Sequence, residues 1–477
     1  VRRKTKIVAT LGPAVDSRDA VEAMVHAGLD VARFNFSHGA ADDHRRRLAW
    51  IRSIGTEMGV PIAAMQDIQG PKIRVGMFPD GAVELEQGAT VRLIPGIATG
   101  DAGHIHIAYL DHVDLTPGSS VVLSDGMIHL EIEDVDDDVA TARVTIGGIL
   151  RDHKGAAFPG SITKVPVITD KDVEDLAFGR ELGFDLVAAS FVSSGEDIRE
   201  IRRHAGAVPI VAKIETAAGY ANLDDILAEA DGVMVARGDL GVELNLESVP
   251  RAQKDILART NAAGKFTITA TEMLESMITN PRPTRAEVSD IYGSVLEGTD
   301  AVMLSAETAI GAHPVEAIRT MDSISREAER CPEFDGLTAA AGEIHNRAPF
   351  ASAVAQAAVE TADRLGVETL VAFTESGTTA RLLSKYRPRA DVYAFTPHEK
   401  TYRLMAIYGG ITPLRTPVHY STDEMLTFAE EFLLDHGIAG TGDVTLMVAG
   451  IPPNIQASTN LMKVHRIGTQ TGGTPRH

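Results

Sequence analysis

An α/β protein built on a closed (β/α)8 TIM barrel, with an inserted β-barrel-like lid and a C-terminal open α/β unit, is the fold class this sequence predicts. Three observations carry it. Eight short runs rich in Val, Ile and Ala alternate with helical segments over the first two-thirds of the chain, the pattern of parallel strands buried on both faces. The alternation breaks once, from Gly70 to Lys164, where the pattern is β throughout. Beyond about Leu337 comes Ala-rich sequence and then strands and helices alternate again.

The eight runs read as strands over Lys6–Leu11, Val31–Ser37, Ile62–Ile68, Asp185–Val192, Ile210–Glu215, Gly232–Ala236, Thr267–Thr271 and Ala301–Ala306. Helices are expected between them at Ser17–Ala27, Asp43–Met58, Val173–Leu182, Ala221–Ala230, Pro250–Ala263, Arg285–Leu296 and Pro314–Glu329. Thr284 and Glu287 make a T-x-x-E capping box. In the insertion, strands are expected at Thr90–Ile94, Ser119–Leu123, Met127–Glu133 and Val139–Ile146, with Ser124-Asp125-Gly126 as a hairpin turn. The insertion leaves from a strand's C-terminal end, where the chemistry of such barrels sits, so it is placed to close over the mouth. The acidic run Glu131–Asp138 reads as a solvated loop. In the last region, helix Ser352–Leu365 precedes strand Thr369–Thr374 and helix Thr379–Tyr386, with strands Val392–Phe395, Val444–Ala449 and Leu461–Ile467 beyond. The expected division is 1–69 and 165–336 for the barrel, 70–164 for the lid and 337–477 for the C-terminal unit.

Composition narrows the function. With 45 Lys and Arg against 66 Asp and Glu, the net charge of −21 argues against a nucleic-acid surface. No apolar run approaches the roughly 18 residues of a membrane helix. The single cysteine, Cys331, excludes an internal disulfide and a Cys-rich zinc site. The N-terminus lacks the apolar core of a signal peptide, and the expected location is cytoplasmic.

The stretch Pro209–Gly219, PIVAKIETAAG, organises the site. Side chains alternate along a strand, so Lys213 and Glu215 point the same way at its end. A second acid, Asp239, follows the next strand in Val233–Gly241, VMVARGDLG. The other strand ends add Arg33, Asn35, Ser37 and His38; Asp67 with Gln69 to Arg74; Arg237 and Gly238; Thr271 and Glu272; Ser305 and Glu307. Any one charge taken alone is as well explained by a structural ion pair. Several cations at one rim are not, because burying each is costly. Glu215 and Asp239 suit a hard divalent cation such as magnesium. Lys213 and Arg33 suit a phosphoryl group. Backbone N–H groups at 237–239 suit a carboxylate, and Thr271 adds a hydroxyl at the far side of the mouth. Together they describe a site for a phosphorylated carboxylic acid and a metal. His38 alone reads as structural. Gly264-Lys265 runs into Phe266, so there is no P-loop, and neither G-x-G-x-x-G nor H-E-x-x-H occurs. In the last region Thr374, Ser376, Gly377, Thr378 and Thr379 form either an anion site at a helix start or an ordinary cap.

At these residues the chain resembles the pyruvate kinases, and the likeness runs from KIVATLGPA (Lys6–Ala14) to TNLMKVHRIG (Thr459–Gly468). ARFNFSHG, QDIQGPKIR, AKIE, ARGDLGVE, ATEMLESM, RPTRAEVSD and VMLSAETAIG are its most specific segments. The resemblance implies phosphoryl transfer from phosphoenolpyruvate to ADP, giving pyruvate and ATP, in a homotetramer regulated by a phosphorylated allosteric effector bound at the Thr374–Thr379 loop. It implies that Glu215 and Asp239 bind Mg2+ (or Mn2+), that Lys213 and Arg33 contact the phosphoryl group, and that Gly238, Asp239 and Thr271 hold the pyruvate end. Asn35, His38, Arg74 and Lys154 would line the nucleotide side. Asn35, Ser37, Asp67 and the Ile68 carbonyl match the K+ ligands of potassium-dependent relatives. Lys72 stands where those relatives carry Glu, and Ile68 and Gln69 where they carry Thr and Lys. An ammonium there supplies the charge of the monovalent cation, so activity without potassium is expected. Glu272 replaces the usual Gln. Asn454 and Ala457 replace glycines of a late effector loop. The alternative enzyme is a Mg-dependent barrel lyase or aldolase acting on pyruvate or oxaloacetate. A non-catalytic binding protein would require a missing catalytic group, and none is missing.

Overall fold

The structure, a computed structural model, describes residues 2–334, 344, 348–453 and 459–468. The expected boundary at 336–337 and residues Asn454 and Ala457 lie outside them. Eight parallel strands close into a ring: Lys6–Thr10, Val31–Asn35, Ala63–Asp67, Leu186–Ala189, Ile210–Ile214, Gly232–Ala236, Phe266–Ala270 and Ala301–Leu304. Alternation along each strand builds two layers. Val8, Met65, Val211 and Met234 fill the ring, while Ile7, Ala64, Ile210 and Val233 pack against the surrounding helices. Each fully buried Ile or Leu of this kind contributes about 1.5–3 kcal/mol of transfer free energy.

All eight expected strands exist, but most end one to three residues earlier than the apolar runs suggest. The predicted helix Ala221–Ala230 is two helices, Ala217–Ala221 and Leu223–Glu229. They pivot at Asn222, whose amide donates to the Ser193 carbonyl at 2.9 Å. The capping box holds: the Thr284 hydroxyl accepts from the Glu287 N–H, and the Glu287 carboxylate accepts from the Thr284 N–H at 2.7 Å.

Between the third and fourth barrel strands lies a separate β unit. Its main sheet has six strands in the order Ala156–Ala157, Ser120–Leu123, Ile128–Asp136, Val139–Ile146, Thr90–Pro95 and His104–Ile107. Val91, Leu93, Val121, Leu130 and Val144 form a core distinct from the barrel's. Ser124, Asp125 and Gly126 all take positive φ in the predicted hairpin. The chain leaves the barrel at Gly70, with φ +63°, where a Cβ would stand 3.1 Å from Ser190. Only glycine suits that conformation and that approach.

The C-terminal sheet has five strands, ordered Ile411–Arg415, Asp391–Thr396, Thr369–Phe373, Val444–Ala449 and Leu461–Arg466, the last antiparallel. Sequence reasoning missed Ile411–Arg415. Its Pro413 argues against a central strand, and the strand is in fact an edge. This unit meets the foot of the barrel at a buried charge cluster. Lys385, at the end of helix Thr378–Lys385, pairs with Asp300 just before the eighth strand, and Arg387 lies 3.1 Å from the same carboxylate. Asp300 also accepts from the Thr267 N–H at 2.8 Å. Among the described residues no helix is long and apolar enough to cross a membrane.

Candidate active site

Lys213 and Glu215 do share one side of their strand, with Lys213 Nζ 2.9 Å from Glu215 Oε1. The same ammonium lies 3.3 Å from Asp67 Oδ1 and donates to Ser190 Oγ at 2.7 Å. Arg33 donates through Nε to Asp67 Oδ2 at 2.7 Å and through a terminal nitrogen to Thr10 Oγ1 at 2.9 Å. Asp67 and Glu215 are each 1 % exposed. Two cations therefore alternate with two carboxylates at the C-terminal ends of the second, third and fifth strands. On the opposite face of the second strand, Phe34 and Phe36 turn outward, where Phe36 stacks on His44 with centroids 4.3 Å apart.

The cluster fixes its own charges. Burial alone would lower Lys213, but Asp67 and Glu215 outweigh it and hold the ammonium above its ordinary range. Burial alone would raise Asp67; Lys213 and Arg33 reverse that and keep it ionised. Glu215 is pushed up by burial and by Asp239, with Lys213 opposing. It is the carboxylate with least cationic support.

Thr10 and Ser190 were missed by sequence reasoning. They sit at the ends of the first and fourth strands, which offered only hydroxyls. The available signal was the ring itself: every strand of a closed barrel ends at the same mouth.

Asp239 faces the site from helix Arg237–Glu243, and Lys72 at the root of the lid donates to its Oδ1 at 2.9 Å. Lys72, Asp125, Phe158, Glu215, Asp239 and Glu243 line one cavity of about 690 Å3 between barrel and lid. Gly238 and Thr271 come together: the Gly238 N–H donates to Thr271 Oγ1 at 2.8 Å. That N–H, expected to face a substrate carboxylate, is thus engaged by a side chain, because the adjacent strand brings the hydroxyl within reach.

Two other expected mouth residues turn elsewhere. Arg237 runs beneath the rim, its terminal nitrogen 2.7 Å from both Asp290 oxygens. Glu307 is buried and accepts from the Leu274 and Ser305 N–H groups at 3.1 and 2.7 Å, stapling two loops. Both found backbone or acidic partners that strand periodicity cannot register. Nothing in the structure explains the acidic residue at Glu272.

The nucleotide-side candidates form two groups. Asn35 Oδ1 accepts from the Ser37 N–H at 3.1 Å, and the carbonyl of exposed His38 meets His44 Nε2 at 3.1 Å. Arg74 and Lys154 lie on the lid, where Arg74 donates to the His153 carbonyl at 2.9 Å and Lys154 pairs with Asp125 at 3.1 Å. The Ile68 carbonyl accepts from Ser190 Oγ at 2.8 Å. In the C-terminal unit Thr374, Ser376, Thr378 and Thr379 line a cavity of about 240 Å3 with Phe395 and His419. Gly377 makes the turn, at φ +87°, its N–H donating to Thr374 Oγ1 at 3.0 Å. Glu375 pairs with His398.

The family models described as pyruvate kinase, barrel domain, and pyruvate kinase, alpha/beta domain, match residues 2–318 and 352–465. A pyruvate kinase of Geobacillus stearothermophilus is 41% identical over 475 residues, covering 98% of this chain and 81% of its own. One from Clostridium perfringens is 39% identical over 473 residues, covering 98% of this chain and all of its own. With a shared barrel, a shared C-terminal unit and relatives matched over nearly its whole length, this chain belongs to the pyruvate kinase family.

Proposed function

We propose that this chain transfers the phosphoryl group of phosphoenolpyruvate to ADP, giving pyruvate and ATP. The observation that carries the reading is the alternating cluster of Arg33, Asp67, Lys213 and Glu215, with Asp239 facing the same lid-covered cavity as Glu215. Residues 1–69 and 165–336 form the catalytic barrel, 70–164 its lid and 337–477 the regulatory unit, in a cytoplasmic homotetramer.

Phosphoryl transfer is chiefly positioning and charge neutralisation. Lys213, held cationic by two carboxylates, neutralises the moving phosphoryl group. Arg33, steadied by Thr10 and Asp67, presents its planar fork to the same oxygens. Gly238, Asp239 and Thr271 hold the pyruvate end, and Asn35, His38, Arg74 and Lys154 the nucleotide.

Glu215 and Asp239 would hold the divalent metal. They supply two hard oxygens on one cavity, and no larger cluster of potential ligands occurs among the described residues. That suits Mg2+ or Mn2+, which take few carboxylates and complete the shell with water and substrate oxygens. Bound there, the metal adds positive charge beside the phosphoryl oxygens.

The potassium reading gains support from partners already in place. Asn35 Oδ1, both Asp67 oxygens and the Ile68 carbonyl each face an N–H or O–H of the chain. The Lys72 ammonium itself pairs with Asp239 at 2.9 Å. Pyruvate formation from phosphoenolpyruvate, ADP and Mg2+ should therefore proceed in Tris salts, with KCl changing it less than about threefold, under 1 kcal/mol. Turnover only with KCl discards the potassium reading, and none under either condition discards the kinase.

The cavity around Thr374–Thr379 is the proposed effector site. Its hydroxyls line a helix start, and Glu375, which would otherwise repel an anion, is held by His398. A panel of sugar phosphates and nucleotides should contain at least one member that activates the enzyme and raises its melting temperature. Silence across the panel removes the assignment.

A further inference from the structure

Thr271 adopts φ +67° and its neighbour Glu272 φ +55°. A β-branched residue in that region is an outlier, which persists only where its surroundings over-determine it. Much of that surrounding is one side chain. Arg237 donates to the Thr271 carbonyl through a terminal nitrogen at 2.6 Å and through Nε at 3.2 Å. Nε also lies 3.3 Å from the Ala270 carbonyl. The other terminal nitrogen reaches both oxygens of Asp290 at 2.7 Å and Gln253 at 3.5 Å. Asp290 belongs to helix Arg285–Leu296 and Gln253 to helix Val249–Ala262, so the guanidinium is braced from two outer helices.

The next residue in sequence completes the grip. Gly238 N–H donates to Thr271 Oγ1 at 2.8 Å, and that hydroxyl donates to the Ala270 carbonyl at 2.6 Å. Arg237 thus holds the backbone of Thr271 while Gly238 holds its side chain. The strained backbone aims the hydroxyl along the rim toward the helix that carries Asp239. Without the clamp, the peptide would relax to negative φ and swing the hydroxyl away.

We infer that Arg237 is a positioning residue, which serves the reaction by holding Thr271 in its strained, hydroxyl-forward conformation. The inference rests on the proposed kinase reading, in which Thr271 meets the pyruvate end of the substrate. Lysine cannot take its place. An ammonium is a compact donor without the planar fork that spans Asp290 and the Thr271 carbonyl together.

The test is a double-mutant cycle on the full chain, with Arg237→Lys, Thr271→Ala and both together. Arg237→Lys should lower kcat by about 10- to 100-fold while KM for phosphoenolpyruvate moves less than about threefold, the sign of an interaction lost in the transition state. In the Thr271→Ala background the same change should cost less than about threefold, because its target is already gone. In the kinase reading Thr271 also stands near the route by which the enolate is protonated, so the solvent deuterium isotope effect on kcat should rise in Arg237→Lys. Equal fold-losses in both backgrounds, or an unchanged isotope effect, would overturn the inference while leaving the kinase intact. A wild-type chain that makes no pyruvate overturns both. Should Arg237→Lys fail to fold, Asp290→Asn takes its place in the same cycle; it loosens the brace and should give the same pattern with a smaller loss.

Discussion

Replacing Lys213 with Met should lower pyruvate formation by about a thousandfold or more, the range seen when a preorganised charge on the transition state is removed. The ammonium contacts both Asp67 and Glu215. Without it Asp67 retains Arg33 at 2.7 Å, whereas Glu215, among the described residues, keeps the Phe191 N–H at 2.7 Å and no cation. Glu215, already pushed up by burial and by Asp239, then loses the cation that opposes that rise. Two consequences can be read separately. Far-UV circular dichroism should be unchanged, since the barrel strands do not depend on the ion pair, but the melting temperature should fall. A Lys213→Met, Glu215→Gln double variant should recover much of that melting temperature and none of the activity. Turnover within tenfold of wild type in the single variant would remove Lys213 from the mechanism.

At the foot of the barrel, Lys385→Met should destabilise the protein by about 3 kcal/mol or more, the cost of breaking a buried ion pair from one side. Lys385 and Asp300 are both fully buried, and the ammonium also donates to Asn261 at 3.0 Å. Two cations, Lys385 and Arg387, share this one carboxylate. The excess charge has a pH signature. Burial, aided by Arg387 and opposed by Asp300, pushes Lys385 down to about 7, against roughly 10.4 in an unfolded chain. Between those values the unfolded state binds more protons, so this group's contribution to stability rises with pH from about 7 to about 10. Urea midpoints of wild type and Lys385→Met, compared at pH 6.5, 8 and 9.5, should therefore show a deficit that grows with pH. A deficit that stays flat from pH 6.5 to 9.5 would mean that Lys385 keeps its proton in the fold and the pair stays fully charged.

The barrel was legible because parallel strands covered on both faces have to be apolar throughout, and runs such as Ile210–Ile214 and Gly232–Ala236 have almost no other explanation. Period two was enough to place Lys213 beside Glu215. What it could not supply was the identity of partners far away in sequence. Lys72 is distinctive in sequence, yet its contact with Asp239 depends on how the lid root crosses the rim. Arg237 looks like a mouth residue by position and proves to point beneath it, because Asp290 and the Thr271 carbonyl are there to receive it. Ser190 and Thr10 carry no charge to attract notice, although each holds one of the two cations of the cluster. The edge strand Ile411–Arg415 was hidden by its proline.

The separate core of the lid has a consequence for assembly. Between Asp67 and Leu186 the chain runs through the whole insertion, yet these flanking strands must pair for the ring to close. The entropy of closing a loop grows only with the logarithm of its length, about 0.6 kcal/mol for each doubling. A lid that collapses on its own apolar centre, Val91 and Leu130 among it, also brings its two ends together, so the closing barrel meets a short tether. An insertion of this kind burdens the search for the ring far less than its length suggests. The same geometry marks the third-to-fourth strand junction as a place where other autonomous units could be grafted without opening the barrel.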